Sequence, residues 1–269
     1  MPDLELIHRP AAQGRENRPP LLFVHGAWHG AWCWDEHFLP YFAGKGWDCY
    51  ALSLRGHGKS EGGDKLRWTS IAAYVDDVHQ VVATLPEPPV IIAHSMGGFI
   101  TQKYLENHAL PGVVLLASIP PSGSGKFVFK TLWRMPIPFF KAVFKLSLIE
   151  VVKTPELARQ AFFSPDTPQA DIDIYSALVQ NESFRILPDT FLLALPRRKK
   201  IRDKNIPMLV IGAADDRVFT INEVIATARA YDAQIDILPN LAHDIMLEPR
   251  WEMVAQRIED WLEERFNDG

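Results

Sequence analysis

The stretch VIIAHSMGG (90–98) decides the fold, because an apolar run, a serine and the start of a helical pattern follow one another directly. So tight a turn requires small neighbours around Ser95, and they are Ala93 and Gly97. The turn predicts a serine hydroxyl raised above the ends of a sheet, beside a helix N-terminus that favours negative charge. The usual pattern is G-x-S-x-G. In this chain Ala93 stands in the place of the first glycine. An ordinary strand-to-helix turn with an incidental serine is the alternative interpretation.

Apolar runs and helical patterns alternate on both sides of this turn. The runs lack polar alternation, which is typical of strands buried on both faces of a parallel sheet. They cover residues 20–26, 47–54, 89–95, 111–118 and 207–213, with a weaker sixth at 234–239. Helical spacing covers residues 34–44, 71–85, 97–108, 221–232 and 251–266. The alternation predicts an α/β fold with a doubly wound sheet, and LELI (4–7) is expected to add an antiparallel edge strand.

Residues 119–205 interrupt the alternation. They are aromatic, basic and punctuated by proline, so several short helices are expected there. Residues 121–204 hold 14 Lys and Arg against 8 Asp and Glu, a net charge of +6 in a chain whose net charge is −5. We therefore predict a core of residues 1–118 and 206–269, with a helical cap of residues 119–205 inserted into it.

A serine hydroxyl needs a neighbouring base before it can act as a nucleophile. His243 lies in PNLAHDIMLEP (239–249), after the weak sixth run, and this loop is expected to face Ser95. The other eight histidines are placed less well for this role. The sequence therefore predicts His243 as the base.

The acid that orients the imidazole should follow the fifth apolar run. There, GAADDRVFT (212–220) offers two candidates, Asp215 and Asp216. Spacing within this loop leaves both open.

Two backbone N–H groups are expected to bind the negative oxygen of a tetrahedral intermediate. One belongs to Met96, directly after the serine, and the other is assigned to Ala27 in FVHGAWHGAW (23–32). Gly26 would let this backbone approach the serine closely. A glycine turn that only packs is the alternative.

Five motifs together resemble the α/β-hydrolase superfamily, in particular its serine esterases and lysophospholipases: HGAWHGAWCW (25–34), RGHGKS (55–60), AHSMGG (93–98), GAADDRVF (212–219) and LAHDIML (241–247). The first is similar to the loop of plant methylesterases and hydroxynitrile lyases, and the second to a turn of monoacylglycerol-lipase-like members. The resemblance implies an eight-stranded, mostly parallel sheet flanked by helices, with a cap after the sixth strand. It also implies a triad of Ser95, Asp216 and His243 with an oxyanion hole of Ala27 and Met96.

Within the resemblance, Val218 and Phe219 favour Asp216 over Asp215, because related sequences place the acid one residue before a small apolar pair. Ser95 disfavours the haloalkane dehalogenases and epoxide hydrolases of this fold, which use an aspartate nucleophile. Hydroxynitrile lyases usually carry lysine where this chain has Asp244, so this class is also disfavoured.

We expect hydrolysis of carboxylic esters through an acyl-enzyme, with a medium or long apolar acyl group and without a metal or organic cofactor. A thioesterase, a carbon–carbon bond hydrolase and a cofactor-free dioxygenase are alternatives on the same fold. A ligand-binding protein that has lost turnover is an alternative of another class.

The aromatic and basic residues of the cap suggest how substrate is held. We expect Trp28, Phe127, Trp133, Phe140 and Phe144 to line an acyl pocket below a basic rim. Such a rim could contact an anionic lipid surface or a charged leaving group. A cap that only packs on the core is the alternative interpretation. Nucleic-acid binding is not expected of an acidic chain without a binding motif.

Composition bounds the setting of the protein. There is no run of about 18 apolar residues and no basic segment followed by an apolar one near Met1, so a cytoplasmic protein is expected. Cys33 and Cys49 lie outside any CxxC pattern, and we expect buried, reduced thiols.

Overall fold

The computed structural model describes residues 1–12 and 18–266. Its centre is one sheet of seven strands. In chain order the strands are β1 (Leu6–Arg9), β2 (Leu21–Val24), β3 (Cys49–Leu52), β4 (Val90–His94), β5 (Val113–Leu116), β6 (Met208–Ala213) and β7 (Gln234–Leu238). Across the sheet their order is β1-β3-β2-β4-β5-β6-β7. β1 pairs antiparallel with β3, whereas the other pairs are parallel.

Helices cover the sheet and fill the long connection between β5 and β6. They are α1 (Trp32–Asp35), α2 (Phe38–Gly44), α3 (Ile71–Val82), α4 (Ser95–Tyr104), α5 (Gly125–Arg134), α6 (Pro136–Lys145), α7 (Pro155–Phe162), α8 (Gln169–Leu178), α9 (Ile186–Pro188), α10 (Arg198–Arg202), α11 (Ile221–Tyr231) and α12 (Trp251–Phe266). Short 3₁₀ turns lie at Gly63–Trp68 and Leu148–Val151, and one π-helical turn at Asp189–Leu193.

The parallel sheet predicted from the apolar runs is confirmed. Every residue of β2, β4, β5 and β6 is buried, as expected for strands with helices on both faces. The carboxyl ends of parallel strands meet at one edge of a sheet, and the loops after β2, β4, β6 and β7 therefore gather there.

The strand count implied by the resemblance is wrong, because the described residues form seven strands and not eight. Each of the six apolar runs supplies one strand, and Leu6–Arg9 supplies the edge strand two residues beyond the start of the predicted segment 4–7. A further apolar run of the described chain, FLLAL (191–195), begins in the π-helical turn at Asp189–Leu193 and adds no strand. The inserted helices consequently follow the fifth strand, and not the sixth.

Residues 119–205, called the cap below, contain α5 to α10. Buried polar contacts attach this segment to the rest of the molecule. The hydroxyl of Tyr74 donates to Glu182 at 2.7 Å, the N–H of Ile71 donates to Asp189 at 3.0 Å, and the hydroxyl of Ser164 donates to Glu248 at 2.6 Å. These hydrogen bonds hold the cap against the core.

Two features of composition can be located in the structure. Cys33 and Cys49 are buried and unpaired, and burial raises the pKa of both thiols. Among the helices from α1 to α12, none combines the length and the apolar character needed to cross a membrane.

Candidate active site

The serine turn has the strained geometry that its sequence predicts. β4 ends at His94 and α4 begins at Ser95, whose φ is +49°, in the left-handed region that side chains rarely adopt. A Cβ at Gly97 would lie 2.5 Å from the carbonyl oxygens of Val24 and His25, so only glycine fits. The close packing of α4 on the end of β2 thus holds Ser95 in place.

Three side chains from separate loops form one hydrogen-bonded chain. Nε2 of His243 lies 3.0 Å from Oγ of Ser95, and Nδ1 of His243 lies 2.9 Å from Oδ2 of Asp216. Because the carboxylate only accepts, Nδ1 carries the proton and Nε2 is free to accept from the serine. The arrangement can therefore deprotonate Ser95.

The structure also distinguishes the two candidate acids. Oδ1 of Asp216 accepts from the N–H of Val218 at 2.6 Å and from that of Phe219 at 3.1 Å, which fixes the carboxylate opposite the imidazole. Asp215 is exposed, and its backbone N–H donates to the carbonyl of Leu241. Asp216 is thus the one that the fold brings to His243.

Both predicted oxyanion donors lie beside the serine. Ala27 and Met96 line the same cavity as Ser95 and His243, and within the described chain neither N–H has a hydrogen-bond partner. The N–H of Met96 belongs to the first turn of α4, where a helix leaves its N–H groups free. These two groups are therefore available to an incoming oxygen.

His25 orients the peptide that carries the Ala27 N–H. Nδ1 of His25 donates to the carbonyl of Gly26 at 2.7 Å, and Nε2 accepts from the N–H of Leu54 at 3.0 Å. Burial lowers the pKa of His25 well below its usual 6.5, so this ring is neutral, as the two contacts require. In a trans peptide the C=O and the next N–H point in opposite directions, so fixing the Gly26 oxygen also fixes the direction of the Ala27 N–H.

A buried pair of one histidine and one aspartate lies behind the site. Nε2 of His29 is 3.0 Å from Oδ2 of Asp244, and Nδ1 of His29 donates to the carbonyl of Ala27 at 2.8 Å. Burial opposes the charge on both groups, but their mutual attraction outweighs it, raising the pKa of His29 and lowering that of Asp244. The pair joins the residue after His243 to the loop that carries Ala27.

His94 holds the loop that carries His243. Its Nε2 donates to the backbone carbonyl of His243 at 2.9 Å, so its ring is held against the site. Burial lowers the pKa of His94 to about 3, and the neighbouring ring of His243 adds to this shift. The ring therefore stays neutral near pH 7.

His94, His243 and Asp244 also bring potential metal ligands within 4.8 Å of one another. Both ring nitrogens of His243 are already engaged, by Ser95 and by Asp216. A metal ion bound by His243 would have to break one of these contacts, which argues against using the cluster as a metal site.

The cavity above Ser95 is open to solvent, and the empty space inside it and in its mouth amounts to about 1130 Å³. One side is formed by core loops and the other by the cap, with an apolar lining that includes Phe127, Phe139 and Phe162. Among the described lining residues the charged ones are all cations, namely Lys130, Arg134 and Arg217. The cavity is thus suited to an apolar group and unfavourable to a bound cation.

The structure separates the five predicted pocket residues into two groups. Trp28 and Phe127 line the cavity. Trp133, Phe140 and Phe144 do not, because they lie on the outer side of α5 and α6 with exposed fractions of 72%, 51% and 85%. Aromatic content identified the right segment, but it could not give the rotation of each helix about its axis.

Sequence reasoning also missed several residues of the site. Phe162 and Phe219 were not predicted to line the cavity, and the pair of His29 and Asp244 was not predicted either. One signal was present, since Asp244 is a charged residue within the apolar stretch LAHDIML (241–247), and a buried charge needs a partner.

Known proteins resemble this chain in sequence. Residues 21–257 match the model of the alpha/beta hydrolase family. Monoacylglycerol lipase of Mycolicibacterium smegmatis is 22% identical over 242 residues, which cover 84% of this chain and 82% of that protein. Bovine (Bos taurus) protein phosphatase methylesterase 1 is 31% identical over 116 residues, 42% of this chain but only 30% of that protein. The matched part therefore spans less than a third of this relative's length.

Solved structures show the same fold at low sequence identity. A carboxylesterase structure from Nitrososphaera gargenis superposes with a TM-score of 0.75 and 18% identity, covering 99% of this chain and 96% of that one. The monoacylglycerol lipase of Paleococcus ferrophilus gives a TM-score of 0.71 and 22% identity, covering 98% and 99%. With a family match over most of its length, this chain belongs to the alpha/beta hydrolase family.

Proposed function

We propose that the protein is a serine hydrolase that cleaves carboxylic esters through an acyl-enzyme and prefers an apolar acyl group. The observation that carries this proposal is the hydrogen-bonded chain from Asp216 through His243 to Ser95, which opens into an apolar cavity. An unactivated serine would not need a base at 3.0 Å with an acid behind it.

Acylation begins with attack of Oγ of Ser95 on the ester carbonyl while Nε2 of His243 takes the hydroxyl proton. The carbonyl oxygen becomes negative and is bound by the N–H groups of Ala27 and Met96. Asp216 stabilises the imidazolium. His243 then gives its proton to the leaving alkoxide, and the C–O bond breaks to leave the acyl group on Ser95.

Deacylation repeats these steps with water as the nucleophile. His243 takes a proton from water as it attacks the acyl carbon, the same two N–H groups bind the oxyanion, and the proton returns to Oγ of Ser95. The carboxylic acid leaves, and the enzyme is restored without any other reactant.

The cavity supports the choice of acyl group. Burying each methylene of an acyl chain contributes about 0.8 kcal/mol, so a chain seated among Phe127, Phe139 and Phe162 binds more tightly as it lengthens. An anionic group elsewhere in the ester would not be repelled, because the charged lining residues are the cations Lys130, Arg134 and Arg217.

The test compares Ser95→Ala with Ser122→Ala, an exposed serine of the cap. With p-nitrophenyl esters of increasing chain length, Ser95→Ala is expected to lose about 10⁴- to 10⁶-fold in kcat, while Ser122→Ala keeps the wild-type value. A fluorophosphonate should label the wild type and Ser122→Ala but not Ser95→Ala. Full esterase activity in Ser95→Ala would overturn the proposal. If only acyl-CoA or β-diketone substrates were turned over, the proposed substrate class would be a thioester or a carbon–carbon bond and not a carboxylic ester.

A further inference from the structure

Two consecutive cap helices turn large apolar side chains to solvent. On α5 these are Phe129 and Trp133, with exposed fractions of 63% and 72%, and on α6 they include Ile137 and Phe144, with 68% and 85%. Residues four and seven apart lie on one side of a helix, so each helix has one exposed apolar side. Soluble proteins seldom group exposed apolar residues in this way without a binding partner.

A third segment extends this surface. Phe191, Leu192 and Leu193 are exposed by 52%, 64% and 65%. A side chain at Gly125 would begin 3.2 Å from the ring of Phe191, so this segment adjoins the start of α5. The exposed side chains of α5, α6 and residues 191–193 are called the cap face below.

Positive charge accompanies the cap face. Residues 119–149 contain five Lys and Arg and no Asp or Glu. Lys126 lies three residues before Phe129, and Lys141 four residues after Ile137, so these lysines share the exposed sides of α5 and α6. Within the described residues neither lysine takes part in an ion pair, whereas Lys145 pairs with Glu150 at 2.7 Å. Two exposed cations therefore flank the apolar side chains with no carboxylate to neutralise them.

We propose that the cap face docks on the surface of an anionic lipid bilayer. Aromatic side chains beside lysines are the combination that binds a bilayer interface, where apolar groups enter the headgroup boundary and cations meet anionic lipids. A second copy of the chain is a poorer occupant, since a symmetric dimer would bring the same cations together. An anionic surface instead offers the opposite charge.

The cavity lies on the other side of the helices that form the cap face, so docking would place it close to the membrane. Phe127 of α5 and Phe139 of α6 line the cavity above Ser95, on the other side of the same two helices whose outer sides form the cap face. Docking would hold the cavity wall against the membrane, so an apolar ester could pass from lipid to Ser95 over a short path. This inference concerns where the protein acts and stands independently of the bond it cleaves.

The experiment measures binding to vesicles by flotation, with phosphatidylcholine alone and with phosphatidylcholine mixed with phosphatidylglycerol. The wild type is expected to float with the mixed vesicles and much less with the neutral ones. Phe129→Ser with Ile137→Ser should abolish flotation. Each lysine contributes about fivefold to the partition constant, so Lys126→Ala with Lys141→Ala should weaken binding about 25-fold.

Matched controls use exposed residues elsewhere. Trp68→Ser removes an apolar side chain that is 60% exposed outside the cap, and Lys59→Ala with Lys65→Ala removes two exposed cations of the core. These variants should float as the wild type does. Thermal melting and turnover of a soluble short-chain ester, unchanged in every variant, would show that loss of binding is not loss of folding.

Three results would overturn the proposal. They are an absence of wild-type flotation, flotation that the cap-face variants do not reduce, and an oligomer in solution that Phe129→Ser with Ile137→Ser dissociates while vesicle binding is absent. The last result would assign the cap face to contacts between copies. Because binding is read without turnover, a failure here is separate from a failure of the proposed hydrolysis.

Discussion

Two ten-residue helices show how differently the core and the cap are built. α4 follows the serine turn and buries nine of its residues, from Ser95 to Gln102 and Tyr104. α5, at the start of the cap, has no fully buried residue, and it lines the cavity on one side while exposing Phe129 and Trp133 on the other. One helix is fixed on all sides, and the other lies between a cavity and solvent.

This difference suggests a division of work. Ser95 and Asp216 follow the fully buried strands β4 and β6, whereas His243 follows the partly exposed β7. Buried hydrogen bonds join the three side chains and hold them in position. The cap supplies the opposite cavity wall, with fewer buried contacts to constrain it. We therefore expect core substitutions to change the rate for every ester, and cap substitutions to change which esters are favoured.

The largest expected effect comes from Asp216→Asn. The amide would no longer hold the proton on Nδ1 of His243 nor stabilise the imidazolium, so kcat should fall about 10³- to 10⁴-fold for short and long esters alike. The exposed neighbour gives the control, and Asp215→Asn should keep nearly full kcat. An equal loss in both variants would contradict the assignment, and a loss confined to long esters would contradict the division between core and cap.

A smaller effect is expected on stability in acid. The unfolded His94 binds a proton below about pH 6.5, whereas the folded one, with a pKa of about 3, does not, so the unfolded state binds more protons in between. Stability therefore falls as the pH falls, by about 3 kcal/mol from this ring between pH 7 and pH 4. Denaturant unfolding of His94→Asn should show a correspondingly shallower pH dependence.

The control for this measurement is His79→Asn, which alters an exposed histidine of α3. Its stability should depend on pH as that of the wild type does. Since the readout is the slope against pH, a general loss of stability in His94→Asn does not obscure it. An unchanged slope in that variant would show that His94 takes up its proton in the folded protein.

The buried pair behind the site should have an intermediate effect. Asp244→Asn removes a negative charge next to His243 and the partner that holds His29 against the carbonyl of Ala27. We expect kcat/KM to fall about 10- to 100-fold for all ester lengths, because the carbonyl of Ala27 would lose the ring that holds it.

Asp77→Asn is the matched control for that variant. Asp77 is also buried and ion-paired, but with Arg55. Its substitution should lower stability without lowering kcat/KM of the folded protein. If Asp244→Asn also kept the wild-type kcat/KM, the pair would serve the packing of the two loops only.

The sequence predicted most of the core because short-range patterns determine it. Continuous apolar runs set a parallel sheet, and Ser95 followed by Gly97 sets a turn with few alternative geometries. The order of serine, acid and base along the chain then located His243 and limited the acid to two neighbouring residues. Choosing Asp216 required the resemblance, and the coordinates show its carboxylate on the imidazole.

The cap was predicted less well for a physical reason. In α5 and α6 large apolar residues occupy both sides, so periodicity does not say which side faces the cavity. The partnership of His29 and Asp244 was missed because it depends on two distant loops meeting, which no local pattern encodes. The eighth strand came from the resemblance alone, since the six apolar runs and the segment 4–7 predicted only seven strands.

The smallest expected effect compares two adjacent phenylalanines of the cap. Phe139 lines the cavity, whereas Phe140 is 51% exposed on the outer side of α6. Phe139→Ala removes part of the wall around the distal acyl chain. The value of kcat/KM for a long ester should therefore fall about tenfold relative to that for a short one, as expected for the loss of a few methylene contacts. Phe140→Ala should keep the wild-type ratio. The measurement is the ratio of kcat/KM for p-nitrophenyl laurate to that for the butyrate. Equal changes for both esters in Phe139→Ala would mean that the cap acts on the chemical step, because a wall that only selects acyl chains leaves the short ester untouched.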